Sequence, residues 1–159
     1  MPATPRLIAV ALGSNLGDRA AHLAFATSRL RGVLADLVVS QTIETNPEGV
    51  ADQPLFLNAA AVGTSAEPPA TLLSAFMSIE HAAGRERAFP GAPRTLDLDL
   101  ILAGDLVATG AALTVPHPRF RRRRFVLEPL AAIAPDLVDP VTTRTVQELL
   151  DGLAGRTGH

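Results

Sequence analysis

The stretch Thr95-Leu96-Asp97-Leu98-Asp99-Leu100-Ile101-Leu102 decides how the chain folds around its chemistry. Leucine at every second position alternates with a polar residue, which is the period-two pattern of a β-strand with one buried face. At about 3.3 Å per residue, Asp97 and Asp99 project from the same face roughly 6.5–7 Å apart. Like charges this close repel each other, and folding alone does not require them. Mg²⁺ does require such ligands, because it binds carboxylate oxygens and shares its other positions with water and phosphate.

A half-exposed strand that happens to carry Asp twice is the competing interpretation, and the pattern alone does not separate the two. The neighbouring sequence favours the metal site. Arg85, Arg87 and Arg94 precede the strand, and His117 and the arginine-rich run 119–124 follow it. Eight of the fourteen arginines fall in the two segments 85–94 and 119–124, which indicates a local anion site rather than the broad basic face of a nucleic-acid binder.

The composition narrows the classes of protein. With 159 residues, 47% of them hydrophobic, and a net charge of −2, we expect one globular domain over 1–159 with a frayed tail at about 154–159. The chain has no cysteine and no lysine, so disulfides, thiolate chemistry, a lysine-dependent P-loop and a Schiff base are excluded. The early apolar run over 7–12 is too short for a signal peptide or a membrane span, so a cytoplasmic protein without a membrane partner is expected.

The periodicity and the turn residues predict the order of the elements. They are a strand over 6–12, a tight turn using Gly13 and Gly17, a helix from Asp18 to about Gly32, strands over 36–45 and 55–63, a helix ending near Ala83 with Gly84 as its stop, the strand described above, a hairpin turn at Gly104-Asp105 into 106–108, a helix over 125–133, and a weak helix near 145–153. The segments 46–54 and 85–93 are loops by their Pro and Gly content, and the second is a candidate mobile lid.

Two polar side chains on these elements have two interpretations each. Asn58 lies on an otherwise apolar strand face, where it either bonds to neighbouring backbone or recognises a flat heterocycle. Glu80 falls inside the buried stripe of the second long helix, near its C-terminus, where the helix dipole disfavours an anion. An arginine partner, Arg85 or Arg87, would offset that cost, so Glu80 is predicted to orient arginines.

The segment after the paired aspartates has the same ambiguity. His117 is either a structural histidine in a Pro-rich turn or a neighbour of a phosphate or metal. The four consecutive arginines 121–124 are either a solvated charge run or a cluster that a phosphate-rich ligand holds together.

Taken together, these segments resemble the 6-hydroxymethyl-7,8-dihydropterin pyrophosphokinases, from residue 9 to about residue 140. The matching motifs are Ala11-Leu12-Gly13-Ser14-Asn15-Leu16, Gln53-Pro54-Leu55-Phe56-Leu57-Asn58, Gly84-Arg85-Glu86-Arg87, Pro93-Arg94-Thr95-Leu96-Asp97-Leu98-Asp99, Val115-Pro116-His117 and Arg123-Arg124-Phe125-Val126-Leu127-Glu128-Pro129-Leu130. The resemblance implies an α+β fold, a ferredoxin-like β-α-β-β-α-β core with additional C-terminal elements and helices packed on an antiparallel sheet. It also implies transfer of diphosphate from ATP to the pterin's hydroxymethyl group, with release of AMP, in folate biosynthesis.

The resemblance further implies roles for individual residues. Asp97 and Asp99 would hold two Mg²⁺ ions. The residues expected to be catalytic are Arg85, Arg87, Arg94, Asp97 and Asp99. Those expected to line the ATP site are Glu80, Arg94, Leu100, Thr114, His117 and Arg123. Those expected to contact the pterin are Thr45, Phe56, Asn58, Asp97 and Phe125, with the ring between the two phenylalanines.

Two other functions fit parts of the pattern. The element order also suits an RNA-recognition module, but a chain without Tyr or Trp and with a net charge of −2 lacks the exposed aromatics and basic face which that module needs. A catalytically silent relative with a binding or regulatory role is the second alternative, and the intact Arg94, Asp97, Asp99 and His117 argue against it. The expected partners are therefore the two small-molecule substrates, with the chain as a monomer or weak homodimer.

Overall fold

The computed structural model describes residues 4–45, 55–84 and 95–157, with side chains as far as residue 153. The elements are β1 (Arg6–Ser14), α1 (Arg19–Leu30), β2 (Ala35–Val39), β3 (Ile43–Thr45), β4 (Phe56–Ser65), α2 (Pro69–Ala82), β5 (Asp97–Ala103), a 3₁₀ turn (Phe120–Arg122), α3 (Arg124–Ile133) and α4 (Val146–Thr157). Within these ranges, no helix combines the length and the apolar composition needed to cross a bilayer.

The sheet has the order β2-β4-β1-β5, with β3 also paired to β4, and every pairing is antiparallel. With β2 and β3 counted as two parts of one strand, the order along the chain is β-α-β-β-α-β. The expected ferredoxin-like α+β core is thereby confirmed, with α3 and α4 as the C-terminal additions.

The prediction of one continuous strand over 36–45 is wrong, because the chain leaves the regular ladder between β2 and β3. At this point the Ala60 N–H donates to the Ser40 hydroxyl at 2.9 Å, whereas a regular ladder would offer it a backbone carbonyl. The register of β2 is also irregular between Ala35 and Val38, and Asp36 has a positive φ of 53°. A serine side chain that competes for ladder hydrogen bonds interrupts a strand in this way.

Both faces of the sheet are buried, which explains why β1 is almost entirely apolar. One face packs on α1 and α2 through Ile8, Val10 and Leu12 of β1. The other face packs on α3 and α4 and uses smaller side chains, among them Ala9 and Ala11. The sheet is therefore the middle of three layers.

Two of the predicted helix ends are confirmed by their caps. Asp18 begins α1, where its carboxylate accepts a hydrogen bond from the Ala21 N–H at 3.0 Å. Gly84, with φ +84°, follows the end of α2. The turn after β1 differs from the prediction, because Gly17, with φ +71°, lies in the turn, whereas Gly13 lies inside the strand.

The segment after β5 turns at Gly104 (φ +57°) as expected, but residues 106–108 form no second strand. Instead, Ala108 and Val115 form an isolated bridge, which brings the chain back beside β5. The His117 N–H then donates to the Ile101 carbonyl at 2.9 Å. This path places His117 along the edge of the strand that carries the paired aspartates. Further on, α4 extends to Thr157, past the helix end predicted near residue 153.

Candidate active site

Three residues form a row across the sheet. In the pairing of β1 with β4, Gly13 lies opposite Asn58, and in the pairing of β1 with β5, Gly13 lies opposite Asp97. Directly opposed residues in an antiparallel sheet face the same side. Because neighbouring strands are about 4.7–4.9 Å apart, the Cα atoms of Asn58 and Asp97 are separated by about 9–10 Å. We call Asn58, Gly13 and Asp97 the polar row.

The next row on the same face is Ala60, Ala11 and Asp99. Ala60 and Ala11 belong to the cluster that packs on α3, so the two aspartates also face the α3 side of the sheet. Both aspartate side chains are half-buried. The sequence prediction that Asp97 and Asp99 share one face is confirmed, and small residues form the floor between them and Asn58.

Asn58 is 5% exposed, and its amide Nδ2 donates to the Thr45 hydroxyl at 2.6 Å. The buried amide thus donates to a side chain of the neighbouring strand β3. Phe56 lies on the same face, because a Cβ atom built on Gly13 would be 3.2 Å from Asn58 Oδ1 and 3.4 Å from Phe56 Cδ1. The structure therefore brings together three of the residues predicted to contact the pterin.

Phe125 belongs to α3, the helix that packs on this face of the sheet. It lies in the first turn of α3 and packs against the same cluster as Ala11. The guanidinium carbon of Arg123, which precedes α3, is 5.3 Å from the centroid of the Phe125 ring. The start of α3 thus brings one aromatic side chain and one cation to the side of the sheet that Asp97 and Asp99 face.

The four consecutive arginines do not act as one cluster. Arg121 makes a two-pronged ion pair with Asp139, and its guanidinium lies 4.9 Å from the ring centroid of Phe120. Arg124 is 3.7 Å from the Glu128 carboxylate on the exposed side of α3. Of the two interpretations of 121–124, a single cluster held by a phosphate-rich ligand does not describe the whole run, because carboxylates of the chain itself face Arg121 and Arg124.

Asp139 is a buried charge that the sequence analysis missed. Its side chain is fully buried and also accepts hydrogen bonds from the Val141 N–H at 3.0 Å and the Thr142 hydroxyl at 2.8 Å. Burial by itself raises the pKa of Asp139, but the hydrogen bonds from Arg121, Val141 and Thr142 outweigh it and hold the pKa below its ordinary value of 3.8. The only signal in the sequence is an aspartate before Pro140 in a turn-like segment, which is too common to identify such a site.

Glu80 is 8% exposed and connects α2 to the aspartate strand. Its Oε2 atom accepts a hydrogen bond of 2.7 Å from the N–H of Leu98, the residue between Asp97 and Asp99. This bond fixes the edge strand β5 at the site. The arginines 85 and 87, which we expected Glu80 to orient, lie outside the described residues, as does Arg94, so the predictions for these three stay predictions.

Three further residues were expected at the ATP site. His117 Nδ1 accepts from the Arg119 N–H at 3.1 Å, so the neutral ring carries its proton on Nε2 and can donate from there. The Thr114 hydroxyl donates to the Gly110 carbonyl at 3.3 Å. Leu100 is 4% exposed in the α1–α2 core, on the face opposite the aspartates, so only its backbone can contact a nucleotide.

The donor set at Asp97 and Asp99 suits Mg²⁺. Within the described ranges, no group of three or more His, Cys, Asp or Glu side chains is arranged to hold a metal ion. Zinc sites usually need three or four protein ligands, whereas Mg²⁺ is commonly held by one or two carboxylates together with substrate phosphates and water. Two half-buried carboxylates on one strand face fit the second description.

A family model described as 7,8-dihydro-6-hydroxymethylpterin-pyrophosphokinase (HPPK) matches residues 9–135. The chain belongs to this family. It is 42% identical over 141 residues to the 2-amino-4-hydroxy-6-hydroxymethyldihydropteridine pyrophosphokinase of Methylorubrum extorquens, covering 87% of this chain and 88% of that protein. It is 40% identical over 136 residues to the Bacillus subtilis protein of the same name, covering 84% and 81%. Membership of the HPPK family confirms the predicted pyrophosphokinase function in folate biosynthesis.

Some relatives are much longer than this chain. It is 40% identical over 146 residues to a folic acid synthesis protein of Schizosaccharomyces pombe, of which the match covers 20%, against 91% of this chain. The fold also matches the crystal structure of wild-type Plasmodium falciparum HPPK-DHPS with pteroate, with a TM-score of 0.71 and 14% identity over 96% of this chain and 43% of that one. At this identity the structural match supports the fold alone.

Proposed function

We propose that the chain transfers diphosphate from ATP to the hydroxymethyl group of 6-hydroxymethyl-7,8-dihydropterin, releasing AMP, with two Mg²⁺ ions held by Asp97 and Asp99. The polar row is the observation that carries this proposal. It places Asn58 and Asp97 on one face of the sheet, with their Cα atoms about 9–10 Å apart and Gly13 opposite both. A flat bicyclic ring with a one-carbon substituent can span that gap, with its edge at Asn58 and its hydroxyl at Asp97.

The pterin end of the site supplies stacking and edge recognition. Phe56 from the sheet and Phe125 from α3 offer two aromatic surfaces, and offset stacking with such rings stabilises a planar heterocycle. Asn58 Nδ2 is already directed at Thr45, so its Oδ1 is the atom that accepts from ring N–H groups. The Thr45 hydroxyl accepts from Asn58 and donates its own proton to a ring acceptor.

The nucleotide end of the site supplies positive charge and donors. Arg123 contacts phosphate oxygens, His117 donates from Nε2, and Arg94 lies immediately before the aspartate strand in the sequence. When bound, Mg²⁺ neutralises the triphosphate charge and polarises the phosphoryl group that is transferred. Glu80 keeps Asp97 and Asp99 in register by holding the Leu98 N–H.

The reaction forms a bond between the hydroxymethyl oxygen and the β-phosphorus of ATP, and it breaks the bond from that phosphorus to the oxygen shared with the α-phosphate. AMP leaves with that oxygen, and the hydroxyl proton goes to Asp97 or to water. Transfer of this kind depends on positioning and charge neutralisation rather than on a protein nucleophile, so the absence of Cys and Lys from the sequence is no obstacle.

The experiment that tests the proposal is incubation with Mg-ATP and the hydroxymethyl-dihydropterin, followed by chromatographic separation of the nucleotides. We expect AMP and the pterin diphosphate in equal amounts, and we expect neither product from the Asp97→Asn variant. Formation of ADP would contradict diphosphate transfer. AMP formation that does not require the pterin would also contradict it.

A further inference from the structure

Asp139 is a fully buried acid that the proposed reaction does not use. Its carboxylate accepts two hydrogen bonds from the Arg121 guanidinium and two more from the turn that follows it. Its backbone is bonded as well, because its N–H donates to the Arg144 carbonyl and its carbonyl accepts from the Thr143 N–H, both at 2.8 Å. The turn between α3 and α4 therefore holds the Asp139 carboxylate in one place, and Arg121 is held against it.

Arg121 is the middle residue of the 3₁₀ turn Phe120–Arg122, which leads into α3. Its guanidinium also lies 4.9 Å from the ring centroid of Phe120, a side chain that is fully buried in the core on the α3 side of the sheet. Two-pronged bonding combined with stacking needs a planar guanidinium, which lysine lacks. One ion pair and one buried ring thus fix the position of the 3₁₀ turn.

Arg123 is the single residue between the 3₁₀ turn and α3. Its N–H donates to the Phe120 carbonyl at 3.1 Å, and its carbonyl accepts from the N–H groups of Val126 and Leu127 at 3.0 Å each. With φ −106° and ψ 98°, its backbone is extended, so it belongs to neither helix. The position of the Arg123 side chain therefore depends on where the 3₁₀ turn lies relative to α3.

The two arginines that flank the end of the 3₁₀ turn have different surroundings. Arg121 and Arg123 are both half-buried. The Asp139 carboxylate neutralises Arg121, whereas the guanidinium carbon of Arg123 is 5.3 Å from the centroid of the Phe125 ring. Arg121 is thus engaged within the fold, and Arg123 is the cation that the proposed function assigns to phosphate.

We propose that Asp139 is a positioning residue for nucleotide binding, which acts through Arg121 and the 3₁₀ turn to hold Arg123 in place for the ATP phosphates. This inference rests on the proposed function. A charge-assisted hydrogen bond to phosphate depends on distance and direction, so a guanidinium displaced by about 1 Å binds it more weakly. The pair of Asp139 and Arg121 therefore contributes to ATP affinity as well as to stability, and it has no part in pterin binding.

The test measures by calorimetry the affinity for a non-hydrolysable ATP analogue with Mg²⁺ in Asp139→Asn and in Arg121→Lys. The first variant removes the charge that holds Arg121 with little change of volume, and the second keeps the positive charge but loses the planar fork. We expect each variant to bind the analogue about fivefold more weakly than wild type. In steady-state kinetics the KM for ATP should rise by a similar factor, whereas kcat and the KM for the pterin should stay within about twofold.

Leu30→Ala is the control for a loss of stability alone. Leu30 is fully buried at the end of α1, in the core on the opposite face of the sheet. This variant should have a lower Tm and bind the analogue within about twofold of wild type. Leu30→Val replaces it if the larger change prevents folding. Weaker analogue binding by the Leu30 variant, to the same extent as by Asp139→Asn, would show that Asp139 acts only through stability and would overturn the inference.

A double variant tests whether Asp139 acts through Arg123. In the Arg123→Gln background, adding Asp139→Asn should change the analogue affinity by less than about twofold, because the group being positioned is gone. The full fivefold loss in that background would overturn the inference. If Asp139→Asn does not fold, Arg121→Lys takes its place in both comparisons.

The remaining outcomes separate this inference from the proposed function. Analogue affinity unchanged in the Asp139 and Arg121 variants would overturn the inference alone, provided that the wild type makes AMP from ATP and the pterin. Tighter binding by Asp139→Asn would also overturn it, because a released Arg121 would then contact the phosphates itself. A wild type that makes no AMP from the two substrates would defeat the proposed function, and this inference with it.

Discussion

Asp139 differs from the pair Asp97 and Asp99 in burial and in hydrogen bonding. Asp139 is fully buried, and its oxygens accept hydrogen bonds from Arg121, Val141 and Thr142. Asp97 and Asp99 are half-buried, next to each other on one strand face, and retain surface that a cation can reach. Under the proposed function, one chain uses the same side chain for two purposes. A carboxylate surrounded by donors stabilises the fold, whereas like charges held side by side favour binding of a divalent cation.

The largest expected effect is the loss of catalytic rate when either of the paired aspartates is replaced. Asp97→Asn and Asp99→Asn should each lower the rate of AMP formation by about 10³-fold or more, because under the proposed function each removes charge that would hold the metal. The free energy of unfolding without ligand should be unchanged or higher by about 1 kcal/mol at most, since a repulsion between partly solvated charges is relieved. Turnover and urea denaturation measure the two quantities. Activity retained by both variants at ordinary Mg²⁺ concentration would remove the basis for the metal site.

The second expected effect is on stability. Asp139→Ala should lower the free energy of unfolding by about 2–4 kcal/mol, because Arg121 and the buried donors around Asp139 lose their acceptor. Urea denaturation measures this, and AMP formation by the folded protein should persist. Asp151→Ala is the matched control, because Asp151 is an exposed carboxylate whose partner is Gln147, and it should leave the unfolding curve unchanged. Equal stability of the Asp139 variant and wild type would show that the buried cluster is not stabilising.

The third comparison uses two neighbouring arginines. Arg123→Gln should raise the KM for ATP by about tenfold, because a charge-assisted contact to phosphate is lost. Arg124→Gln should leave that KM within about twofold and change the free energy of unfolding by no more than about 0.5 kcal/mol, since its pairing with Glu128 is half-exposed. Steady-state kinetics with saturating pterin distinguishes them. Similar losses in both variants would indicate a general effect of charge rather than a specific contact.

The smallest expected effect is the pH dependence of stability. Protonation of Asp139 removes only the part of its contribution to the free energy of unfolding that depends on its charge. The folded-state pKa of Asp139 is below its ordinary value of 3.8. The unfolded state therefore binds a proton more readily, and the contribution is fully present above pH 3.8 and is lost as pH falls through the folded pKa. The difference in unfolding free energy between wild type and Asp139→Asn should stay constant from neutral pH to about pH 5 and shrink at lower pH. A difference that grows on acidification would contradict this sign.

Local patterns predicted the elements and the most distinctive residues. The alternation over 95–102 correctly placed Asp97 and Asp99 on one face, because strand periodicity depends on the backbone alone. The cap at Asp18 and the stop at Gly84 were also correct, since the groups involved are close in sequence. The strand over 36–45 was predicted without its break, because the interruption comes from a hydrogen bond between Ser40, which lies between β2 and β3, and Ala60 of β4.

The sequence by itself determined the paired acids, the order of the elements and the family. Tertiary structure decided which residues meet: Gly13 between Asn58 and Asp97, and Arg121 with Asp139. The physical reason is that strand register and helix packing set these contacts between segments far apart in the chain. The local sequence around a glycine in a strand, or around an arginine in a run, does not show which distant residues it will contact. The sheet and α3 bring those residues together.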